Sequence, residues 1–568
     1  MTLSVDANNT LTKSITLRAS GLPADAYGGD AAPLPEADEN ANGGESRAAD
    51  PVKRSMSISE MAESSSSRRR RAPWFLRFLE LPFRVRNVQS DVYMEEATAQ
   101  GMDMAARGAI NQTGSFIGSA MIRFAAIEAG GLNNKIFGIR ASSLLPVGSL
   151  IVGLVAAVTM PLMGAIVDHT KYRKALGSLS AFVVVVAVGG QLALNQNTWF
   201  AVFVLEIIGG YFLIMHQVVT MAYLPDLSHD MIEMGHFTAR FMMNQYGIQG
   251  IFTSLVIGIS FPLKFENLQT AKLAAGMAFA LGVIFLGYAW TFLFRERPIL
   301  REVPPGANLY TTGFTQLMKT TKHVFKNYRA LRWLMIALLF SPEAGAGVIL
   351  SIAVSFLTFF VQMDVKEIAI VSLTMLFANI PGALISKYMC RWVNPLNSFR
   401  LAELGFALTN ALLCITVTGS TAKDKNLVYM YGALIGVTFG WMFPSQRTLS
   451  VAIIPKGQET EIMGLIMFFG QVVGWLPAFV FTAMNERGIS MRWGLASVSF
   501  FLVTSFLCTL MCGSYENAVK SVEHTSEKYI AEYRRRSDVG SVKESELGGD
   551  DVEKGDEERA KTADTAAE

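Results

Sequence analysis

Six ionisable side chains stand inside stretches otherwise built of Leu, Ile, Val, Ala, Phe and Gly: Arg123, Glu128, Glu206, His216, Glu343 and Arg447. At the centre of a membrane helix such a group costs on the order of 2.5–3.5 kcal/mol or more, so it is retained where it binds a solute, relays a proton or pairs with another charge. Glu343 is the sharpest case. It lies in SPEAGAG (341–347), where Pro342, Gly345 and Gly347 loosen the helix and free backbone carbonyls. Glu343 there either exchanges a proton or marks a kink and pairs with Arg123 or Arg447. Glu128 and Arg447 fall near segment ends, where a rim position is the plain alternative, and Glu403 lies where it can snorkel to an interface. Gln217, Asn244, Gln245, Asn379 and Gln471 either bond a solute or bridge helices.

This set suits reversible binding rather than bond breaking. The chain has no Gly-rich phosphate loop ending in Gly-Lys-Ser/Thr, no HExxH and no assignable Ser/His/Asp arrangement. Cys390, Cys414, Cys508 and Cys512 show no metal-ligand spacing and read as small apolar core residues. No enzyme activity, metal or cofactor is therefore expected, and any work done must draw on solute or proton gradients.

The elements that must hold these groups are spanning helices. Of 568 residues, 51% are hydrophobic and 17% charged, against about 25% charged in soluble domains. A spanning helix needs ~20 mostly apolar residues. Twelve segments qualify: 108–129, 142–167, 175–195, 198–223, 241–263, 271–294, 333–361, 366–388, 399–418, 427–452, 461–484 and 491–513. None alternates apolar and polar as barrel strands would, which leaves an all-α membrane protein. The first segment is the most polar, carrying Asn111, Gln112, Arg123 and Glu128, so its neighbours must bury those groups.

The chain divides into a tail (1–105), a six-helix bundle (106–294), a linker (295–332), a second six-helix bundle (333–513) and a charged tail (514–568). Both tails read as disordered, because neither can bury enough apolar surface to offset chain entropy. Within the first tail, 68–86 is basic. There PWFLRFLELPF (73–83) suits either an interfacial helix beside anionic lipid or a solvated linker. The linker is basic, with Arg295, Arg297, Arg301, Lys319, Lys322, Lys326, Arg329 and Arg332 against Glu296 and Glu302. Basic short loops stay in the cytosol, and an even helix count then puts both termini there. The chain opens without an apolar signal sequence, so an internal segment directs insertion. The net charge of +2 argues neither for nor against nucleic acid, and no nucleic-acid partner is expected.

The halves repeat each other. Pro161 and Gly164 close the second segment, and Pro381 and Gly382 fall near the end of the eighth. Pro225 and Gly235 precede the fifth as Pro455 and Gly464 precede the eleventh. A six-plus-six duplication of this kind is the major facilitator architecture, with solute held between the halves. In GAIVDHTKYRKA, Gly164 would let two helices approach closely. Asp168, Lys171 and Arg173 would form a gating loop at the cytosolic rim, or the loop is positive-inside and nothing more. The six ionisable residues fall on the first, fourth, seventh and tenth segments, which line the central cavity in that architecture.

FPSQRTLSVAIIPKGQETEIMG, running on through WLPAF and MRWGLAS (443–501), resembles the closing region of the vacuole effluxer family, autophagy-related protein 22-like, within the major facilitator superfamily. The matching positions are Arg447, then Ile454, Pro455, Lys456, Gly457, Glu459 and Glu461, then Gly464, Trp475, Pro477, Arg492, Trp493 and Gly494. YLPDL (223–227) fits too, and the resemblance spans about residues 90–515. The chain departs at Ile462 and Met463, where the family has Phe or Tyr, and at Glu343–Ala344, where it often has Asp-Gly. The resemblance implies a proton- or solute-driven carrier exporting amino acids from the vacuolar lumen to the cytosol during autophagic recycling. The alternatives are a carrier of another small solute at the plasma membrane or another membrane, and a membrane scaffold that no longer transports.

Overall fold

The computed structural model describes residues 73–84, 91–131, 134–224, 227, 231–296, 308–455 and 459–522. The first bundle comprises α1 (Asp91–Glu128), α2 (Leu144–His169), α3 (Arg173–Gly190), α4 (Trp199–Met221), α5 (Met231–Ser260) and α6 (Asn267–Leu281). α6 continues through two π-turns, Gly282–Leu286 and Ala289–Leu293. α7 (Leu309–Asn327) links the bundles. The second bundle comprises α8 (Arg329–Phe340), α9 (Pro342–Ser355), α10 (Val365–Trp392), α11 (Pro395–Thr416), α12 (Ala422–Ala452), α13 (Glu459–Val472), α14 (Leu476–Glu486) and α15 (Met491–Leu510). Among the described residues, nine helices are long and apolar enough to cross a membrane. These are α2, α3, α4, α6, α10, α11, α12, the α13–α14 pair and α15.

Three of the twelve expected segments do not meet that test, for different reasons. α1 and α5 carry too many polar residues. The seventh segment is broken at Ser341, where Pro342 cannot continue the ladder from α8 and opens α9 instead. The eleventh is broken too, by the turn at 473–475 ahead of Pro477.

One boundary needs correction. α1 begins at Asp91, so residues 91–105 belong to the bundle rather than to a tail ending at 105. ATAQGMDMAARGA (97–109) is rich in small residues that let neighbours pack close, and its two charged groups, Asp103 and Arg107, are buried inside protein rather than exposed to lipid, as is the preceding Glu96. The 295–332 linker is largely helical, as α7 and the start of α8. The basic run at 68–71 and most of both tails lie outside the described residues. The 73–83 stretch forms a short 3-10 helix, Trp74–Glu80. Leu76, Leu79 and Phe83 pack inward, Phe83 edge-on against Phe285 with centroids 5.3 Å apart. Trp74, Phe78 and Leu81 face out, and Tyr288 donates to Glu80 at 2.5 Å.

Close backbone approach does occur, but not where the loop pattern placed it. Gly164 has nothing within 4 Å of the position a Cβ would take. A Cβ on Gly108 of α1 would run into the Gln245 carbonyl of α5, and the second half uses glycine in the same way. A Cβ on Gly382 of α10 would run into the Val437 carbonyl of α12. Cβ atoms on Gly436 and Gly440 would come within 2.8 Å of Ala378 and 2.7 Å of Asn379. Pairs of small residues on facing helices are how membrane helices gain van der Waals contact when lipid supplies no hydrophobic drive.

The two bundles are clasped at one end. Phe137 (φ 51) and Gly138 (φ 84) turn a two-stranded hairpin, Lys135–Ile136 with Ile139–Arg140. Glu486 accepts from the Arg140 amide and the Ser143 hydroxyl, each at 2.8 Å, and pairs with Lys135 at 3.3 Å. Asn485 donates to Ser142 and Ser143 at 2.7 and 2.8 Å. Arg123 donates to the Met363 carbonyl at 2.5 Å, and Asn267 bonds Asp364 and the Val365 amide. At the opposite end α7 lies between the bundles. Thr320 donates to Glu461 at the start of α13, and Gln316 meets His169 at the end of α2, 3.4 Å away.

Candidate functional site: a cavity between the bundles

Between the clasp and α7 lies a cavity of about 2850 Å³, lined by residues of both bundles and of α7. A small-molecule pocket is usually ~300–1,000 Å³, so the space holds a solute together with water along a path.

The polar lining comes from particular helix faces. α1 contributes Arg107, Asn111 and Ser115, one turn apart along a single stripe, with Gln112 beside it. Gln249 of α5 donates to Gln112 at 2.9 Å, which leaves Asn111 open to the cavity. Gln217 and Gln245 face in from the first bundle, and Asn379, Gln446, Arg447 and Gln471 from the second. Asn244 does not line the cavity and sits beside Gly101 of α1, as the helix-bridging alternative has it.

The six ionisable candidates separate. Glu206 lines the cavity from α4, its Oε1 3.8 Å from where a Cβ on Gly114 would stand. Its Oε2 is buried without a hydrogen-bond partner among the described residues. Arg447 lines the cavity from α12. The other described members do not line it. Arg123 belongs to the clasp. Glu128 accepts from the indole of Trp199. His216 is fully buried behind the cavity wall, donating to Asp103 at 2.5 Å and meeting Ser180 at 3.0 Å. Glu343 lies in α9, but its side chain is outside the described set. Glu403 does not snorkel. It is fully buried and accepts from Ser505 of α15 at 2.5 Å.

The gating-loop residues also part company. Gly164, Asp168 and Arg173 line the cavity, and Lys171 is exposed. Arg173 is buried, donates to the Ala222 carbonyl at 3.3 Å and lies over the Tyr223 ring, 5.4 Å from its centroid. Arg173 therefore braces α3 against the end of α4 instead of standing in a solvated loop. Of the turn before α13, Pro455 is buried, Glu461 bonds α7 and lines the cavity, and Gly464 is uncrowded. Gly457 and the Glu459 side chain lie outside the described set.

Sequence reading missed Asp103 and Arg107 because the first segment was begun at 108. Their opposite charges at i and i+4 on a helix were the available signal.

Residues 133–519 match the family described as "Vacuole effluxer Atg22 like". The chain belongs to that family. The Atg22-like chain shares the major facilitator fold with solved transporters of low sequence identity. A nucleoside transporter, NupG, aligns over 75% of this chain and 100% of its own at 14% identity, TM-score 0.53. A peptide transporter, POT, solved with alafosfalin, aligns over 74% and 95% at 12% identity, TM-score 0.51. The xylose transporter XylE of E. coli, partially occluded and inward open, aligns over 74% and 97% at 12% identity, TM-score 0.51. A comparison with curated protein sequences finds no match. Family and fold together make this Atg22-like chain an integral membrane transporter of the major facilitator type.

Proposed function

We propose that this chain is a secondary transporter that carries small zwitterionic solutes, amino acids first among them, from the vacuolar lumen to the cytosol. It works by rocking residues 106–294 against 333–513. The family description supports the vacuolar membrane and the outward direction from it. The basic residues of α7 and α8, Lys319, Lys322, Lys326, Arg329 and Arg332, support a cytosolic position for the α7 end, and the clasp then faces the lumen.

The observation that carries the reading is Glu206. A carboxylate in the wall of a cavity between two bundles, with one oxygen buried and unbonded, must hold a proton or face a cation to offset its desolvation. Both are steps of a coupled carrier. A solute ammonium and a proton compete for the same oxygen, so binding of one releases the other. Arg447 and the amides from the facing bundle complete the lining, and a bound solute then bridges both halves and favours closure around itself.

The test is uptake into proteoliposomes of labelled neutral and basic amino acids, with and without an imposed pH gradient. Gradient-dependent flux that is lost in Glu206→Gln supports the reading. Absence of flux for every amino acid, from protein shown to be folded, overturns the substrate class.

A further inference from the structure

The cavity wall contains a second charged station, made by Arg107. Its side chain is 5% exposed, yet it lines the cavity. The group that holds it sits behind the wall. Asp103 Oδ1 lies 2.8 Å from Arg107 Nε. Asp103 Oδ2 accepts from His216 Nε2 at 2.5 Å and from Trp290 Nε1 at 3.0 Å. His216 is in turn held at Nδ1 by Ser180, 3.0 Å away, whose hydroxyl is also 2.9 Å from the Gly177 carbonyl. Asp103, His216 and Ser180 are fully buried and Trp290 nearly so, and they come from α1, α4, α3 and the π-turn closing α6. Four elements thus fix one carboxylate, and that carboxylate fixes one guanidinium.

The donors left over point to what the site takes. A guanidinium has five N–H donors in a planar fork. Here Nε faces Asp103, and Nη2 meets the Met104 thioether at 2.9 Å, a weak acceptor. No other acceptor for Arg107 is found among the described residues. Its Nη edge is held rigid and under-bonded beside the cavity. That edge matches a planar carboxylate in bidentate fashion.

We propose that Arg107 is an anion subsite that binds the carboxylate of the transported solute, with Asp103 as its positioning residue. The inference rests on the reading of the cavity as a solute path. Arg107 is seven residues from Gly114, the α1 position beside Glu206, or about 10 Å along the helix towards the α7 end. A solute moving from Glu206 towards that end meets Arg107 next.

The experiment is equilibrium titration of the purified full chain with amino acids and with their carboxamides, for wild type, Arg107→Gln and Arg107→Lys. The expected result is that at least one amino acid binds wild type and loses roughly tenfold or more in Arg107→Gln. Its amide should bind both proteins alike. Arg107→Lys should fall between, since it keeps the charge and loses the fork. Equal binding of acid and amide to wild type, or unchanged acid affinity in Arg107→Gln, overturns the subsite while leaving transport intact. Should Arg107→Gln fail to fold, Arg107→Lys decides by the same acid-to-amide comparison. Should no amino acid bind wild type, the amino-acid reading fails by itself, and acetate, succinate and citrate are titrated instead. Carboxylate binding that depends on Arg107 then supports the subsite, and its absence overturns it.

Discussion

Asn485, at the end of α14, donates to Ser143, at the start of α2, across 2.8 Å. One side chain thereby joins the last third of the chain to the first, at the point where the two bundles must separate if the cavity is to open on that side. With the bonds to Ser142 and Glu486, the clasp is a cluster of polar contacts set beside apolar packing between the halves. Each such bond contributes only about 0.5–1.5 kcal/mol net, so each removed bond weakens the closure of this end by a modest amount.

Removing part of the clasp should therefore shift the population of states without unfolding the protein. For Asn485→Ala combined with Glu486→Ala, spin labels placed on either side of this end should show the separated population rising about tenfold or more. Superimposable distance distributions for wild type and variant would mean that other contacts hold this end.

Glu206→Gln keeps the shape of the side chain and removes its ability to exchange a proton. Uptake driven by a pH gradient should fall at least about tenfold, whereas solute exchange without a gradient should persist. Gradient-driven uptake at the wild-type rate would remove Glu206 from the coupling step.

Two glycines that look alike in the repeat should behave differently. Gly382→Ala places a methyl against the Val437 backbone and must push α10 and α12 apart, costing about 1–3 kcal/mol. Gly164→Ala meets nothing within 4 Å and should leave stability unchanged or raise it by about 0.5–1 kcal/mol. Thermal unfolding in detergent checks both. A larger loss of Tm in Gly164→Ala than in Gly382→Ala would contradict the packing described.

Thr320→Val cuts the hydrogen bond from α7 to Glu461 while keeping the volume of the side chain. If α7 restrains the cytosolic end, the transport rate should change severalfold with little change in apparent solute affinity. A rate within error of wild type would show that α7 is a passive connector.

Much of this was legible from residues alone. Runs of apolar residues about twenty long admit only helices in lipid, because every backbone amide must be bonded within its own segment. That requirement is local, so the all-helical membrane class could be read without coordinates, as could the family-matching run from Arg447 to Gly494. α1 marks the limit. Its polar residues argue against a membrane helix when each is counted separately, and they become acceptable only because partners from α4, α5 and α6 meet them.

The site divides in the same way. Residue type showed that Glu206, His216 and Arg447 are costly in hydrocarbon and so must have a use. Type could not show that Glu206 and Arg447 face the cavity, that His216 stands behind it and grips Asp103, or that Arg123 is spent on the clasp. Those assignments depend on which helix faces turn towards one another, and a helix's rotation is set by the side chains of its neighbours, tens to hundreds of residues away in sequence. The sequence by itself determined that charges are buried in a membrane bundle. The tertiary packing decided which of them are paired and which remain available to a solute.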